Sequence, residues 1–204
     1  MKGLKSVIAY VTVTALLFGF VGCSSRRTSR QERESQRDWA GEILETSDDS
    51  SSDELEVETD FGTFTINNGW VAVDSQTFGN TYVFSNEEDV DSTNPPNNLT
   101  VKYDVNPYSE DQHEDFCTAI LQQLPGQAAA YNGTAALTEF GQFGENMCYR
   151  FDLDCEDFDI IQWYVVGDYE YVMFGLMIVD EDKADEDDCI QMTEDAVNSF
   201  VWNR

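Results

Sequence analysis

The chain has 204 residues and a formal net charge of −29, with 40 acidic residues against 11 basic ones. Such an excess of negative charge repels polyanions, so it excludes nucleic acid as a partner and favours cationic or neutral partners. Composition divides the chain into an apolar N-terminal segment (residues 1–22), a cysteine with a charged tether (23–60) and one folded domain (61–204).

The first segment has the charge order and length of a signal peptide. Lys2 and Lys5 precede an apolar run, broken only by two threonines, that stops at Cys23. This run is shorter than the roughly 20 residues that span a bilayer. The small residue Gly22 stands directly before Cys23, and the stretch from Phe20 to Cys23 resembles the lipobox of bacterial lipoproteins. That resemblance implies cleavage before Cys23, diacylation of its thiol and attachment to the extracytoplasmic face of the cell membrane.

The tether contains too little apolar surface to form a core, which predicts disorder over residues 24–60. Its basic residues lie near the lipid (Arg26, Arg27, Arg30, Arg33, Arg37), and most of its acidic residues lie further out (Glu42, Glu45, Asp48, Asp49, Asp53, Glu54, Glu56, Glu58, Asp60). Each arginine near an anionic bilayer adds about 1 kcal/mol of attraction. We therefore expect the base of the tether to lie on the membrane and the domain to stand off it, unless the charges serve only solubility.

The domain alternates strand-like and helix-like patterns. The stretches FGTFTI and WVAV flank Asn67-Asn68-Gly69 and predict a hairpin, and TYVFS and NLTVKYDV predict two more strands. A capping box at Ser109 and Gln112 opens a helix that we expect to end at Pro125-Gly126. Four strands follow, near TEFGQF, NMCYRFDL, DIIQWYVVG and YEYVMFGLMIV. A final helix is predicted from Asp185 to Trp202.

These elements predict an α+β fold in which two main helices pack on an antiparallel sheet. Their order resembles the PsbP-like fold of photosystem accessory proteins, a nuclear-transport factor and many bacterial lipoproteins. The resemblance lies in the segments from Phe64 to Trp70 and from Ala196 to Phe200. It implies a binding or accessory role rather than catalysis.

Four cysteines remain after Cys23, and an even number in an oxidising compartment predicts two disulfides with three open connectivities. Because Cys117 and Cys189 each lie on the apolar face of a predicted helix, we favour Cys117–Cys189 with Cys148–Cys155. A zinc site would need all four thiols at irregular spacing and is disfavoured.

No motif in the chain predicts catalysis or a cofactor. Acidic runs begin at Asp89, Asp152 and Asp180, but each lacks the glutamate at position 12 of an EF-hand. Calcium binding would therefore need an irregular site, which no motif supports. The single histidine, His113, is the base that a Ser-His or Cys-His pair would need, but its place on the predicted helix favours packing at the core boundary. The acidic residues also offer carboxylate pairs of the kind that glycoside hydrolases use, as any acidic domain does.

Aromatic residues crowd the last predicted hairpin, where Trp163, Tyr164, Tyr169 and Tyr171 form either a ligand or partner surface or part of the core. The sequence therefore favours a membrane-anchored, non-catalytic module that binds a protein partner or assists assembly. A lipoprotein that binds a small ligand is the alternative, and a carboxylate-based hydrolase is the third hypothesis.

Overall fold

The computed structural model describes residues 54–67, 69–73, 76–86, 97–179 and 186–203. The predicted signal peptide, Cys23 and the predicted tether up to residue 53 lie outside the described residues. The described elements are β1 (Glu54–Glu58), β2 (Gly62–Asn67), β3 (Trp70–Ala72), β4 (Thr81–Asn86), β5 (Asn98–Val105), a 3-10 turn (Glu110–Gln112), α1 (His113–Ala129), β6 (Thr134–Phe143), β7 (Asn146–Asp154), β8 (Phe158–Val166), β9 (Glu170–Val179), α2 (Glu186–Ser199) and β10 (Val201–Trp202).

The strands form two antiparallel sheets. Seven strands are ordered β3-β4-β5-β9-β8-β7-β6, and a smaller sheet is ordered β1-β2-β10. The small sheet and α2 pack on one face of the large sheet, whereas α1 packs on the other. The predicted α+β fold, with two main helices on an antiparallel sheet, is confirmed.

The core beneath α2 and the small sheet is built from large aromatic side chains. Phe64 of β2 meets Phe174 of β9 edge to face, with ring centroids 5.3 Å apart. Phe200, directly after α2, contacts the same Phe174 at 5.9 Å. These ring contacts hold the small sheet and α2 against the large sheet. They add to the stabilisation that comes from burying apolar area.

The second core lies between α1 and the opposite face. Phe116 of α1 contacts Tyr164 of β8 and Tyr171 of β9, with ring centroids 5.8 and 5.3 Å away. Leu124 and Ala128, further along α1, are also fully buried. Because β8 and β9 are covered on both faces, their sequences are nearly continuous apolar runs.

The first described strand, β1, begins at Glu54, inside the segment predicted to be tether. In β1 the side chains of Leu55 and Val57 are half-buried and buried, while Glu54, Glu56 and Glu58 are exposed. This alternation pairs β1 with β2 from Glu54 opposite Asn67 to Glu58 opposite Thr63. The acidic composition of this segment predicted a tether, although its alternation is that of a strand with one apolar face.

Two further predictions about elements were wrong. β2 and β3 flank a turn-like sequence but belong to different sheets, so they form no hairpin. α1 continues past Pro125 to Ala129. Proline at 125 removes the hydrogen bond to the carbonyl of Leu121, but Leu121 is 40 % exposed, so water can reach that turn. Burial of Leu124 and Ala128 then offsets the cost of the proline.

The last helix ends three residues before the predicted position. α2 stops at Ser199, and Val201 and Trp202 instead pair with Thr63 and Gly62 of β2. The C-terminal segment therefore adds an edge strand to the small sheet.

Candidate interaction surface

The aromatic hairpin is mostly core. Trp163, Tyr164 and Tyr171 are buried, whereas Tyr169 is 54 % exposed. Burial raises the pKa values of Tyr164 and Tyr171, with smaller contributions from Tyr171 and Asp104 respectively. The predicted four-residue surface is thereby reduced to a single side chain in the turn between β8 and β9.

Tyr169 occupies a conformation that aromatic residues rarely adopt. Its φ is +63°, in the left-handed region. Its N–H donates to the Tyr108 carbonyl and its carbonyl accepts from the Asn106 N–H, both at 2.9 Å. These bonds to the β5–α1 connection offset the cost of about 1 kcal/mol for the left-handed conformation.

The four cysteines of the domain are buried free thiols, and the predicted bridges are absent from the structure. Cys117 belongs to the core beneath α1 and Cys189 to the core beneath α2, so the large sheet separates them. Cys148 and Cys155 are likewise on opposite faces. The apolar helix positions that suggested a bridge between Cys117 and Cys189 thus pack against different faces of one sheet.

Cys148 and Cys189 share a face of the sheet but lie towards opposite ends of α2. Cys189 is near the start of α2, next to the Asn97 amide at 3.9 Å. Cys148 is two residues from Asn146, which donates to the Phe200 carbonyl just after α2 at 2.8 Å. The buried free thiols therefore act as small apolar side chains of the core.

His113 is not paired with a nucleophile. Its Nδ1 is 2.6 Å from the hydroxyl of Tyr149 on β7. Burial raises the pKa of Tyr149 to about 12, with added contributions from Cys117 and Glu114. Burial also raises the pKa of the Cys117 thiol, which disfavours the thiolate needed for attack. The geometry is that of a packed boundary residue.

The outer edge of the large sheet carries a largely exposed aromatic side chain, Phe140. We call strand β6, Thr134–Phe143, the β6 edge, since no described strand pairs with its outer side. Phe140 is 68 % exposed and stacks on Tyr149, with ring centroids 6.2 Å apart and an interplanar angle of 20°. On the α1 side, Ala135 and Leu137 are partly buried against the core.

The other side of the β6 edge carries an acidic group of residues around one arginine. We call Glu139, Arg150, Asp152 and Glu194 the Arg150 cluster. Arg150 Nε is 2.9 Å from Asp152, and Arg150 Nη1 is 2.9 Å from Glu194 of α2. Its guanidinium carbon lies 5.1 Å from the centre of the Trp163 ring. Glu139 is opposite Arg150 in the strand register, so three carboxylates share one positive charge.

Burial is the main cause of the raised pKa of Glu194; Arg150 opposes it, and Glu139 and Asp195 add to it. Because Glu139, Asp152 and Glu194 lie around a single arginine, the Arg150 cluster is a place where another positive charge would be stabilised.

In the described part of the chain, no group of three or more His, Cys, Asp or Glu residues is arranged to hold a metal ion. Nor is any helix of these residues both long and apolar enough to cross a bilayer.

The sequence did not single out the β6 edge. TEFGQF reads as an ordinary strand, and its place at the outside of the sheet follows from strand order. Glu139 and Glu194 are far apart along the chain, so nothing in the sequence brings them to one arginine. The sequence signal for this edge was Phe140, a large apolar side chain that the alternation of the predicted strand places on one of its two faces.

No protein-family model matches the chain, and no curated protein matches it. Among solved structures, it is similar to the solution structure of cyanobacterial PsbP from Synechocystis sp. PCC 6803, with 14 % identity and a TM-score of 0.49. That similarity covers 78 % of this chain and 98 % of the other. It is also similar to a crystal structure from Bacteroides thetaiotaomicron, with 8 % identity and a TM-score of 0.46, over 76 % of this chain and 50 % of the other.

Proposed function

We propose that this protein is a lipid-anchored module at the extracytoplasmic face of the cell membrane. In this proposal Cys23 carries the lipid, and the domain binds a cationic segment of a protein partner without catalysing a reaction. Binding is supported by the charges of the domain and by the way its few basic residues are used.

The acidic charge of the domain is largely uncompensated. Residues 61–204 hold 28 acidic and four basic residues. The two basic side chains that the structure describes are both paired inside the domain, Lys102 with Asp104 at 3.1 Å and Arg150 with two carboxylates. A surface of one sign attracts and steers a partner of the other sign. This observation carries the proposal.

The buried cysteines and the hydrogen-bonded histidine supply no activated nucleophile, so they favour binding over catalysis. No Asp or Glu of the described residues is fully buried. Glu194, whose pKa is raised by burial, is only partly buried and is paired with Arg150, so it does not offer the hydrolase hypothesis a free acid in a dry cleft. The burial of Trp163, Tyr164 and Tyr171 likewise removes most of the aromatic surface that could have held a sugar or an apolar ligand.

The anchor and the partner are tested together in cells. The full-length protein and its Cys23→Ala variant are crosslinked, purified and compared by mass spectrometry, and the intact mass of each reports acylation. We expect acylation at Cys23 and one basic protein recovered in near-equal amount with the anchored form only. When the purification is repeated without the crosslinker, that protein should be lost above about 0.5 M salt, since the Debye length is then only a few ångströms.

An unacylated wild-type chain would contradict the anchor. A recovered partner that is acidic, or whose binding does not depend on salt, would contradict the charge-based proposal.

A further inference from the structure

The open edges of the two sheets differ in how well they are protected against pairing. Three described edges are protected: β1 exposes three glutamates, and β3 and β10 are only three and two residues long. The β6 edge has ten residues and one charged side chain, Glu139. Long edges with little charge are the ones that accept another strand.

A register shift between Leu137 and Glu139 divides this edge. Beyond it, Glu139–Phe143 pairs without interruption with β7, from Arg150 down to Asn146. Gly141 lies in the middle of this stretch, and its φ of +154° is a conformation that residues with a side chain rarely adopt. The backbone therefore accounts for the glycine, and the space beside it, with no atom within 4 Å of a Cβ built there, leaves room for close approach of another backbone.

The two sides of Glu139–Phe143 differ in chemistry. On the α1 side, the exposed ring of Phe140 lies on Tyr149. On the α2 side, Glu139 faces the Arg150 cluster, where carboxylates outnumber the guanidinium three to one. Successive side chains of a strand point to opposite faces, so an added strand would place alternate residues on an apolar and on an acidic surface.

We propose that the β6 edge binds, by strand addition, an extended segment of a protein partner that alternates apolar with lysine or arginine side chains. This inference rests on the proposed function and names its surface and its ligand. Main-chain hydrogen bonds to the open edge supply affinity, and the two surfaces supply specificity. A second copy of this chain is a poor occupant, because it would bring two acidic domains edge to edge.

The probes are synthetic peptides of about eight residues, the length of an ordinary strand. One alternates lysine and valine, one has the same composition with the lysines in a block, and one alternates but carries N-methyl groups on every second residue. Each is titrated into the full-length protein in detergent at low salt, and binding is followed by calorimetry and by amide exchange at Glu139–Phe143.

Matched variants separate this edge from the general charge of the domain. Glu139→Lys is compared with Glu56→Lys, which makes the same charge change on the β1 edge. Phe140→Ser is compared with Phe78→Ser, because Phe78 is 72 % exposed and also lies on the surface. All four positions are exposed, so thermal melting should show that every variant folds.

We expect the alternating peptide to bind, to protect the amides of Glu139–Phe143 and to lose about tenfold in affinity with Glu139→Lys or Phe140→Ser. The control variants should bind as the wild type does, and the N-methylated peptide should not bind. If alternating and blocked peptides bind alike and both lysine variants weaken them equally, the edge proposal is overturned and the charge-based function stands. If no lysine peptide binds at low salt, both are overturned.

Discussion

Arg150 is the side chain that ties α2 to the large sheet. Its guanidinium spans Asp152 on its own strand and Glu194 on the helix, above the buried Trp163 ring. Removing one member of a largely buried ionic group leaves the other charges without compensation, which costs more than the pair contributes when intact.

We predict that Arg150→Met lowers the free energy of unfolding by about 2–3 kcal/mol, less than for a fully buried pair because the carboxylates are partly exposed. Urea denaturation measures the change. The double variant Arg150→Met with Glu194→Met removes one of the stranded carboxylates and should recover part of the loss. A double variant less stable than Arg150→Met alone would contradict this account of the cluster.

Glu194 should make stability depend on pH in a defined direction. Because burial raises its native pKa above the ordinary value of 4.5, the unfolded chain loses this proton first as the pH rises. The contribution of Glu194 to the free energy of unfolding therefore decreases from pH 4.5 up to its native pKa.

The variant Glu194→Gln lacks this titration. The difference in unfolding free energy, wild type minus variant, should fall across that pH window and stay constant above it. A difference that rises with pH would mean that Arg150, rather than burial, dominates the environment of Glu194.

The buried thiols should not react with thiol reagents while the protein is folded. Burial raises the pKa of Cys148, and burial together with Asp159 and Asp154 raises that of Cys155 to about 11. At pH 8 we expect no reaction of the four domain cysteines with a thiol reagent until denaturant is added, and then reaction of all four. A reductant should leave the melting temperature unchanged. A melting temperature that falls on reduction would instead show that disulfides form in the mature protein.

At the scale of elements, the β6–β7 turn is matched closely to the end of α2. Gly144 has φ +58°, its N–H donates to Asn198 Oδ1 at 3.1 Å, and a Cβ added there would collide with the Asn198 carbonyl oxygen. Gly79 has nearly the same φ, +56°, but would meet no atom within 4 Å.

The two glycines form a matched pair for measuring this contact. Gly79→Ala should cost about 1 kcal/mol, the penalty of the left-handed conformation alone. Gly144→Ala should cost about 2 kcal/mol more, because the helix end must also move. Equal losses in denaturant titrations would show that α2 adjusts without cost.

Elements that depend on local pattern were predicted well, and those that depend on the rest of the fold were not. The prediction of β5 at NLTVKYDV and the pairing of β8 with β9 are confirmed, because alternation, apolar runs and turn residues act within a few positions. The hairpin of β2 and β3 was wrong, because a turn sequence cannot say which sheet each arm joins. β1 was missed, because three glutamates outweighed Leu55 and Val57 in composition.

The same distinction applies to the site. The sequence identified the acidic charge and the solitary His113, which need only counting. It could not reveal that Cys117 and Cys189 face opposite sides of the sheet, or that β6 is an outermost strand. Both follow from strand order, which joins residues distant in sequence.

At the scale of the whole molecule, a proposed membrane anchor is joined to an acidic domain that has, among its described residues, one long open strand. Whether a crosslinking group captures the partner should therefore depend on where in the domain that group is placed. The β6 edge and the turn at Phe78 are both exposed and both carry a phenylalanine, so they differ in neighbours rather than in accessibility.

The most direct test is photo-crosslinking of the anchored full-length protein in living cells, with a photoreactive phenylalanine analogue at position 140 or, separately, at position 78. We predict that position 140 captures one protein through a segment alternating apolar and basic residues, that Glu139→Lys abolishes the capture, and that position 78 does not capture that protein. The same products from both positions, or no product from position 140, would contradict the claim that the domain binds its partner at the β6 edge.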